Sequence, residues 1–227
     1  MLKSIAISLI LLAGAGQVMS QNCMGLYPLN EGAVSEMTTY NKKGKMIMVA
    51  IHEVKEVMQN GADTEYSIYT KILDDKGEVS TEGTSSAVCR DGKFTMNIEN
   101  VLDQDTQANL RDMEFEFTGD EIIIPSDIQV GQTLPDASMV MQTTGPVKLK
   151  ATLSITNRKV EKKEEVTVPA GTDGCVVITS DQVLKMMVNS ENTLKKWISP
   201  EAGLVKLEVY NKKGKMTSSQ ELTKYSD

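Results

Sequence analysis

The sequence predicts a mainly β protein with antiparallel strands and at most one short helix. Two observations predict this class: a tight-turn sequence recurs between β-favouring runs, and one long segment alternates strictly between apolar and polar residues. Parallel strands covered on both faces would instead appear as continuous apolar runs joined by crossover helices. Crossover helices are not apparent in this chain. Antiparallel hairpins are therefore expected.

The first 20 residues show the three-part pattern of a secretory signal peptide. A short basic start is followed by an apolar run over 5–13 and a small, polar stretch over 14–20. The apolar run is too short to cross a bilayer, which takes roughly 20 residues. We expect cleavage before Gln21, which leaves 21–227 as a single antiparallel β domain without a transmembrane segment. Gln21 and Asn22, standing directly before Cys23, argue against lipidation, although the position of Cys23 so near the cleavage site leaves that alternative open.

A seven-residue turn sequence occurs twice, letter for letter. Residues 40–46 and 210–216 both read Tyr-Asn-Lys-Lys-Gly-Lys-Met, and 73–79 form a looser third copy. Glycine adopts positive φ without a Cβ clash, and an Asx side chain can bond its own backbone two residues on. Each copy therefore predicts a β-hairpin, and residues 90–93 predict a fourth. The tip lysines are interpreted as residues that keep exposed turns soluble, in preference to an anion-gripping role.

Strict alternation predicts the clearest strand, over 146–157, with one buried and one solvated face. Asn157 and Arg158 are expected to turn the chain into another strand over 159–168. Residues 100–112 predict the one short helix, and 125–135 predict a loop that crosses between two halves of the sheet system. Further strands are predicted at 34–39, 45–57, 65–73, 85–89, 94–98, 113–117, 121–124, 175–188, 193–199, 204–210 and 215–222.

Charge and the absence of motifs exclude several functions. Loss of the leader, whose one charged residue is Lys3, lowers the formal net charge from −7 to −8. An acidic surface repels phosphate backbones, so nucleic acid is not an expected partner. His52 is the only histidine, and no serine-nucleophile elbow accompanies it. Four-ligand zinc chemistry, a calcium loop and a phosphate loop are also missing. We predict no catalytic residue, metal or cofactor.

Three cysteines, Cys23, Cys89 and Cys175, allow at most one internal disulfide. Their spacing does not choose among the three pairs, and no Cys-x-x-Cys motif indicates redox activity. Export makes one disulfide plausible, because bonds of this kind persist in oxidising compartments.

Methionine is abundant, with 14 residues against 4% aromatics. Met46 with Met48, and Met139 with Met141, have the two-residue spacing that puts both side chains on one face of a strand. Flexible thioethers can line an apolar groove, although they also fill a core that lacks aromatic residues. The four methionines are the candidate apolar ligand face.

Several segments together resemble a family of exported bacterial proteins described as "domain of unknown function 3108-like". The resemblance covers nearly the whole mature chain, in order. It is carried by residues 22–23, 27–32, the 40–45 turn, 89–94, 130–134, 168–172 up to Cys175, 197–200 and 203–206. It implies a β-roll or open barrel and no particular activity. Asp173 and Gly174 depart from the pattern, which has an aromatic residue and an acid there.

Two function hypotheses follow, with a weaker third. The first is an exported, non-catalytic protein of the periplasm or extracellular space that binds an unknown partner protein or supports the envelope. The second is a carrier that holds a lipid or other apolar molecule in the concavity of the curled sheet. The third is a hydrolase that uses a carboxylate pair, such as Asp120 with Glu121 or Glu114 with Glu116.

Overall fold

One antiparallel sheet contains every strand of the computed structural model, which describes residues 23–97, 115–144, 150–186 and 189–227. The described residues contain no helix, and the predicted helix over 100–112 lies outside them. The strands are β1 (Val34–Asn41), β2 (Met46–Asn60), β3 (Asp63–Asp74), β4 (Val79–Arg90), β5 (Lys93–Asn97), β6 (Phe115–Gly119), β7 (Glu121–Pro125), β8 (Ala137–Thr143), β9 (Lys150–Val168), β10 (Gly171–Lys185), β11 (Ser190–Ser199), β12 (Gly203–Asn211) and β13 (Met216–Ser226).

The sheet curls until its two ends meet. Neighbouring strands follow the order β6-β8-β9-β10-β11-β12-β13-β1-β2-β3-β4-β5-β7. The end strands β6 and β7 are consecutive in the chain and separated only by Asp120. The backbone N–H of Asp120 donates to Ser138 O at 2.8 Å, and its carboxylate accepts from the Ser138 N–H at 3.0 Å. The result is a nearly closed, barrel-shaped sheet, which confirms the predicted antiparallel, curled class.

The repeated turn sequence forms the predicted hairpins. In the first copy, Gly44 adopts φ 74° and donates to Asn41 O at 2.8 Å. The Asn41 Oδ1 atom accepts the backbone N–H groups of Lys43 and Lys45 at 2.8 and 3.2 Å. The turns at 211–215 and 74–78 repeat the same set of bonds. Local turn chemistry is therefore sufficient to form these hairpins.

The prediction that the chain turns at Asn157 and Arg158 is wrong. Strand β9 runs without interruption through both residues, and Asn157 adopts φ 53° within it. The ladder with β10 shifts register between Thr179 and Asp181, which marks a β-bulge at this point. Asparagine tolerates the left-handed conformation, which occurs in bulges as well as in turns. The sequence signal that predicted a turn here therefore corresponds to a bulge.

Two clusters of buried residues form the core. The larger one includes Ile68, Phe94 and Leu153, and the smaller one includes Met37 and Trp197. Strand β10 is buried on both faces: Val176 and Ile178 join the larger cluster, whereas Cys175 and Val177 join the smaller one. A continuous apolar run is typical of a strand in such a position.

Residues 23–32, here called the N-terminal strap, tie together strands that are not neighbours in the sheet. The start of the strap is disulfide-bonded to Cys89 in β4, and its middle accepts a hydrogen bond from the N–H of Leu204 in β12 at 3.0 Å. Its end donates to the carbonyl of Val54 in β2 at 2.8 Å. The strap therefore holds strands β12, β2 and β4 in a fixed relation.

Gly203→Ala is expected to loosen this strap. Gly203 has φ 74°, and a Cβ there would lie 2.5–2.7 Å from backbone atoms of Tyr27. The matched control is Gly214→Ala, because Gly214 has φ 70° with nothing within 4 Å. The control isolates the left-handed penalty of about 1–2 kcal/mol. Overpacking adds to this penalty at Gly203. Urea denaturation should therefore show that Gly203→Ala lowers the free energy of unfolding by at least about 1 kcal/mol more than Gly214→Ala does. Equal losses would contradict the close packing of the strap.

Candidate functional site

The structure separates the four candidate methionines. Met139 and Met141 are buried in the larger core cluster, at 2% and 0% exposure. Met48 is half-buried and packs against the smaller cluster, and Met46 is half-buried at the start of β2. The two pairs therefore lie in different regions of the sheet, and contact of these residues with a ligand stays a prediction.

The cysteines pair as Cys23–Cys89, and Cys175 is a free, buried thiol. Burial raises the pKa of Cys175 to about 11, with further contributions from Asp173 and Glu164. A thiol with so high a pKa is a poor nucleophile near neutral pH, which is consistent with a packing role.

His52, for which we predicted no catalytic role, is on the core-facing side of β2. Its Nδ1 atom lies 2.9 Å from Thr70 Oγ1, and its ring centroid lies 4.9 Å from that of Tyr27 in the strap. Burial lowers the pKa of His52 to about 4, so the ring is neutral at pH 7. Across the described ranges, no three His, Cys, Asp or Glu side chains come together as a metal site.

Five residues on the core-facing side of the sheet form a row. One residue comes from each of the neighbouring strands β11, β12, β13, β1 and β2, and each residue is the register partner of the next. This core-side row consists of Lys196, Leu207, Gln220, Thr39 and Met48. Alternation puts Lys196 on the same side as the buried Leu194 and Ile198, and Thr39 on the same side as the buried Met37.

Thr39 carries an unsatisfied hydroxyl. The residue is 6% exposed, and in the described part of the chain its Oγ1 is the one buried side-chain polar atom without a hydrogen-bond partner. Its neighbours along the row, Gln220 and Met48, are half-buried. The adjacent Thr38 points to the other side, where its hydroxyl lies 3.0 Å from that of Thr223.

Lys196 is half-buried and forms no hydrogen bond or ion pair within the described residues. Burial, and then repulsion from the Arg158 guanidinium, lower the pKa of Lys196 to about 8. Arg158 is 4% exposed and donates to the carbonyls of Pro135 at 2.6 Å and Ile123 at 3.0 Å. Burial lowers the pKa of Arg158 to about 10, against an opposing effect of Asp136.

The opposite side of the same strands is electrostatically compensated. Trp197 Nε1 donates to Glu164 at 2.7 Å, and the ammonium groups of Lys195 and Lys206 lie 4.4 and 5.3 Å from the indole centroid. Lys206 also pairs with Glu208 at 3.0 Å. Trp197 is itself buried in the smaller core cluster, so this side of β11 also faces the core, and its lysines lie beside the indole ring.

Sequence reasoning did not identify Lys196, Arg158 or Thr39. A signal for Lys196 was present, because it occupies the apolar phase of an alternating strand between Leu194 and Ile198. Arg158 and Thr39 carry no comparable signal, since their environments depend on distant strands.

These features define a class of barrel-shaped antiparallel proteins with a partly polar interior and no helix among the described residues that is long and apolar enough to cross a membrane. The chain belongs to the DUF3108-like family, whose profile matches residues 30–222. The resemblance noted in the sequence is thereby confirmed.

Two crystal structures show the same fold. A Bacteroides fragilis protein, inferred to be exported and described as having a YmcC-like fold, is 22% identical with a TM-score of 0.77, covering 90% of this chain and 100% of that one. A Parabacteroides distasonis protein, inferred to be a lipoprotein, is 23% identical with a TM-score of 0.77, covering 91% of this chain and 100% of that one. A search of curated proteins finds no match.

Proposed function

We propose that this chain is a non-catalytic binding protein that holds a small amphipathic molecule against the core-side row. The observation that carries the proposal is the unpartnered Thr39 hydroxyl. Leaving a buried hydroxyl unsatisfied costs about 1–3 kcal/mol, and a ligand polar group that displaces the half-buried side chain of Gln220 or Met48 would supply the missing partner. The half-buried Met48 beside Thr39, and Leu207 beyond Gln220, offer apolar contact near the polar position.

We also propose that the protein acts outside the cytoplasm, in the periplasm or beyond it. The leader-like residues 1–20, the Cys23–Cys89 disulfide and the descriptions of the two structural relatives support this location. The same location is consistent with an envelope-associated role.

Native mass spectrometry of protein purified from its own cells tests both proposals. The polypeptide is expected to begin at Gln21 and to carry a bound small molecule that survives gentle desolvation. Thr39→Val keeps the shape of the side chain and removes the hydroxyl, so the bound fraction should fall about tenfold without loss of stability.

The matched control is Thr38→Val, which removes a partnered hydroxyl from the opposite side of the same strand. This variant should keep the ligand and lose some stability. A clean apo mass from folded wild-type protein, or equal ligand retention by Thr39→Val and Thr38→Val, would overturn the binding proposal. Co-purification of a protein partner in place of a small molecule would also contradict it.

A further inference from the structure

We propose that the two identical hairpin turns form a docking surface for a bilayer that contains anionic lipids. The surface consists of residues 41–47 and 211–217, here called the paired tips. It lies at one edge of the sheet and is separate from the core-side row, so the inference goes beyond the proposed function.

The order of strands brings the two copies of the turn together. Residues 41–45 connect β1 to β2, residues 211–215 connect β12 to β13, and β13 pairs directly with β1. Asn41, where the first turn begins, has Ser218 as its register partner, just after the second turn ends. The tips are therefore neighbours at the same edge of the sheet, two strand spacings or roughly 10 Å apart.

The curl of the sheet brings both tips to the same rim. Tyr40 pairs with Met46 at the base of the first turn, and it also pairs with Ser219, which lies three residues beyond Met216 at the base of the second turn. The second tip therefore extends roughly 10 Å further along the strand direction. A tilt of about 35–45° is usual for the strands of a barrel, and it goes with a stagger of this size. Both tips can therefore reach one flat surface.

The paired tips are basic, although the protein as a whole is acidic. They contain six lysines and no acidic residue. Two lysines are compensated, because Lys45 pairs with Asp75 at 2.7 Å and Lys212 pairs with Glu191 at 2.9 Å. The other four are exposed and form no ion pair within the described residues, and these are Lys42, Lys43, Lys213 and Lys215. Salt screens charges further away than about 8 Å at physiological ionic strength, so distant acidic residues do not cancel this charge.

Exposed apolar side chains accompany the lysines of the paired tips. Ile47 and Met216 are each 40% exposed, and Met46 is half-buried. Lysine alone keeps a turn soluble, and an exposed isoleucine or methionine opposes that role. At an anionic bilayer, ammonium groups meet the lipid phosphates while apolar groups enter the acyl boundary. The combination therefore favours a lipid surface over a soluble polyanion.

Co-sedimentation of the protein with lipid vesicles tests the docking surface. One set of vesicles is phosphatidylcholine, and the other is a mixture of phosphatidylcholine and phosphatidylglycerol. Each lysine near an anionic surface contributes about fivefold in affinity, so wild-type protein is expected to bind the mixed vesicles at least about tenfold more tightly than the neutral ones. This preference should shrink as salt is added.

Two double variants test the lysines at constant net charge. Lys213→Gln combined with Lys215→Gln should weaken binding to the mixed vesicles by up to about 25-fold. Lys93→Gln combined with Lys163→Gln removes two exposed lysines outside the paired tips, and this control should bind as wild type does.

Two methionine variants test the apolar contribution. Met216→Gln should weaken binding to the mixed vesicles by about threefold, because part of its exposed apolar surface is no longer buried in lipid. Met58→Gln is the matched control, since Met58 is 45% exposed and lies near the end of β2, at the opposite edge of the sheet. This control should bind as wild type does.

Several results would overturn the docking surface. They are equal binding of wild-type protein to both kinds of vesicle, absence of binding to either kind, and equal losses in the two lysine double variants. Binding of inorganic polyphosphate that requires Lys213 and Lys215, without vesicle binding, would overturn the bilayer as the occupant. Thr39→Val should bind vesicles as wild type does, so failure of the docking surface would leave the proposed function standing.

Discussion

Reduction of the Cys23–Cys89 disulfide is expected to lower the free energy of unfolding by about 4 kcal/mol. The bond joins residues 66 apart in sequence, and closing a loop of that length removes chain entropy of about this size from the unfolded state. It also anchors the start of the N-terminal strap, whose backbone bonds reach β12 and β2. Urea denaturation with and without reductant measures the loss directly.

Two variants make this measurement specific. Cys23→Ala should reproduce the effect of reductant and should respond to reductant no further. Cys175→Ala removes the free buried thiol, so its denaturation midpoint should still shift on reduction by as much as that of wild type. A wild-type midpoint that is insensitive to reductant would show that the disulfide contributes little to stability.

Lys196→Met is expected to raise the free energy of unfolding of the ligand-free protein by up to about 3 kcal/mol at pH 7. The folded protein holds the pKa of this lysine at about 8, against an ordinary value of 10.5, and each unit of difference corresponds to about 1.4 kcal/mol. Below pH 8 the side chain is charged in both states, and the folded state bears the full cost of enclosing that charge. Methionine has a similar length and no charge.

The same linkage predicts a pH dependence. Between about pH 8 and pH 10.5 the unfolded state binds more protons at Lys196 than the folded state, so stability rises with pH across this window. The difference between wild type and Lys196→Met should therefore shrink as pH rises from 8 to 10.5. Lys195→Met, which loses contact with Trp197, should lower stability at pH 7. A constant difference at all pH values would contradict the assigned cause.

Local signals predicted the hairpins and most strands correctly. The Asn41 and Asn211 turns depend on a side-chain oxygen, a glycine and bonds within five residues, so identical sequences form identical turns. The misread position, Asn157, shows the limit of such signals. A left-handed residue serves a turn or a bulge equally well, and only pairing of β9 with β10 over its full length selects the bulge.

Almost none of the candidate site could be predicted from the sequence. The sequence by itself determined the antiparallel class, the turn positions and the family, because these depend on periodicity, turn chemistry and the order of motifs along one chain. Tertiary structure decided the Cys23–Cys89 pairing, the closure of the sheet at β6 and β7, the burial of Arg158 and the lack of a partner for the Thr39 hydroxyl. These properties depend on which distant strands come together, because a side chain loses its solvation only once those strands have enclosed it.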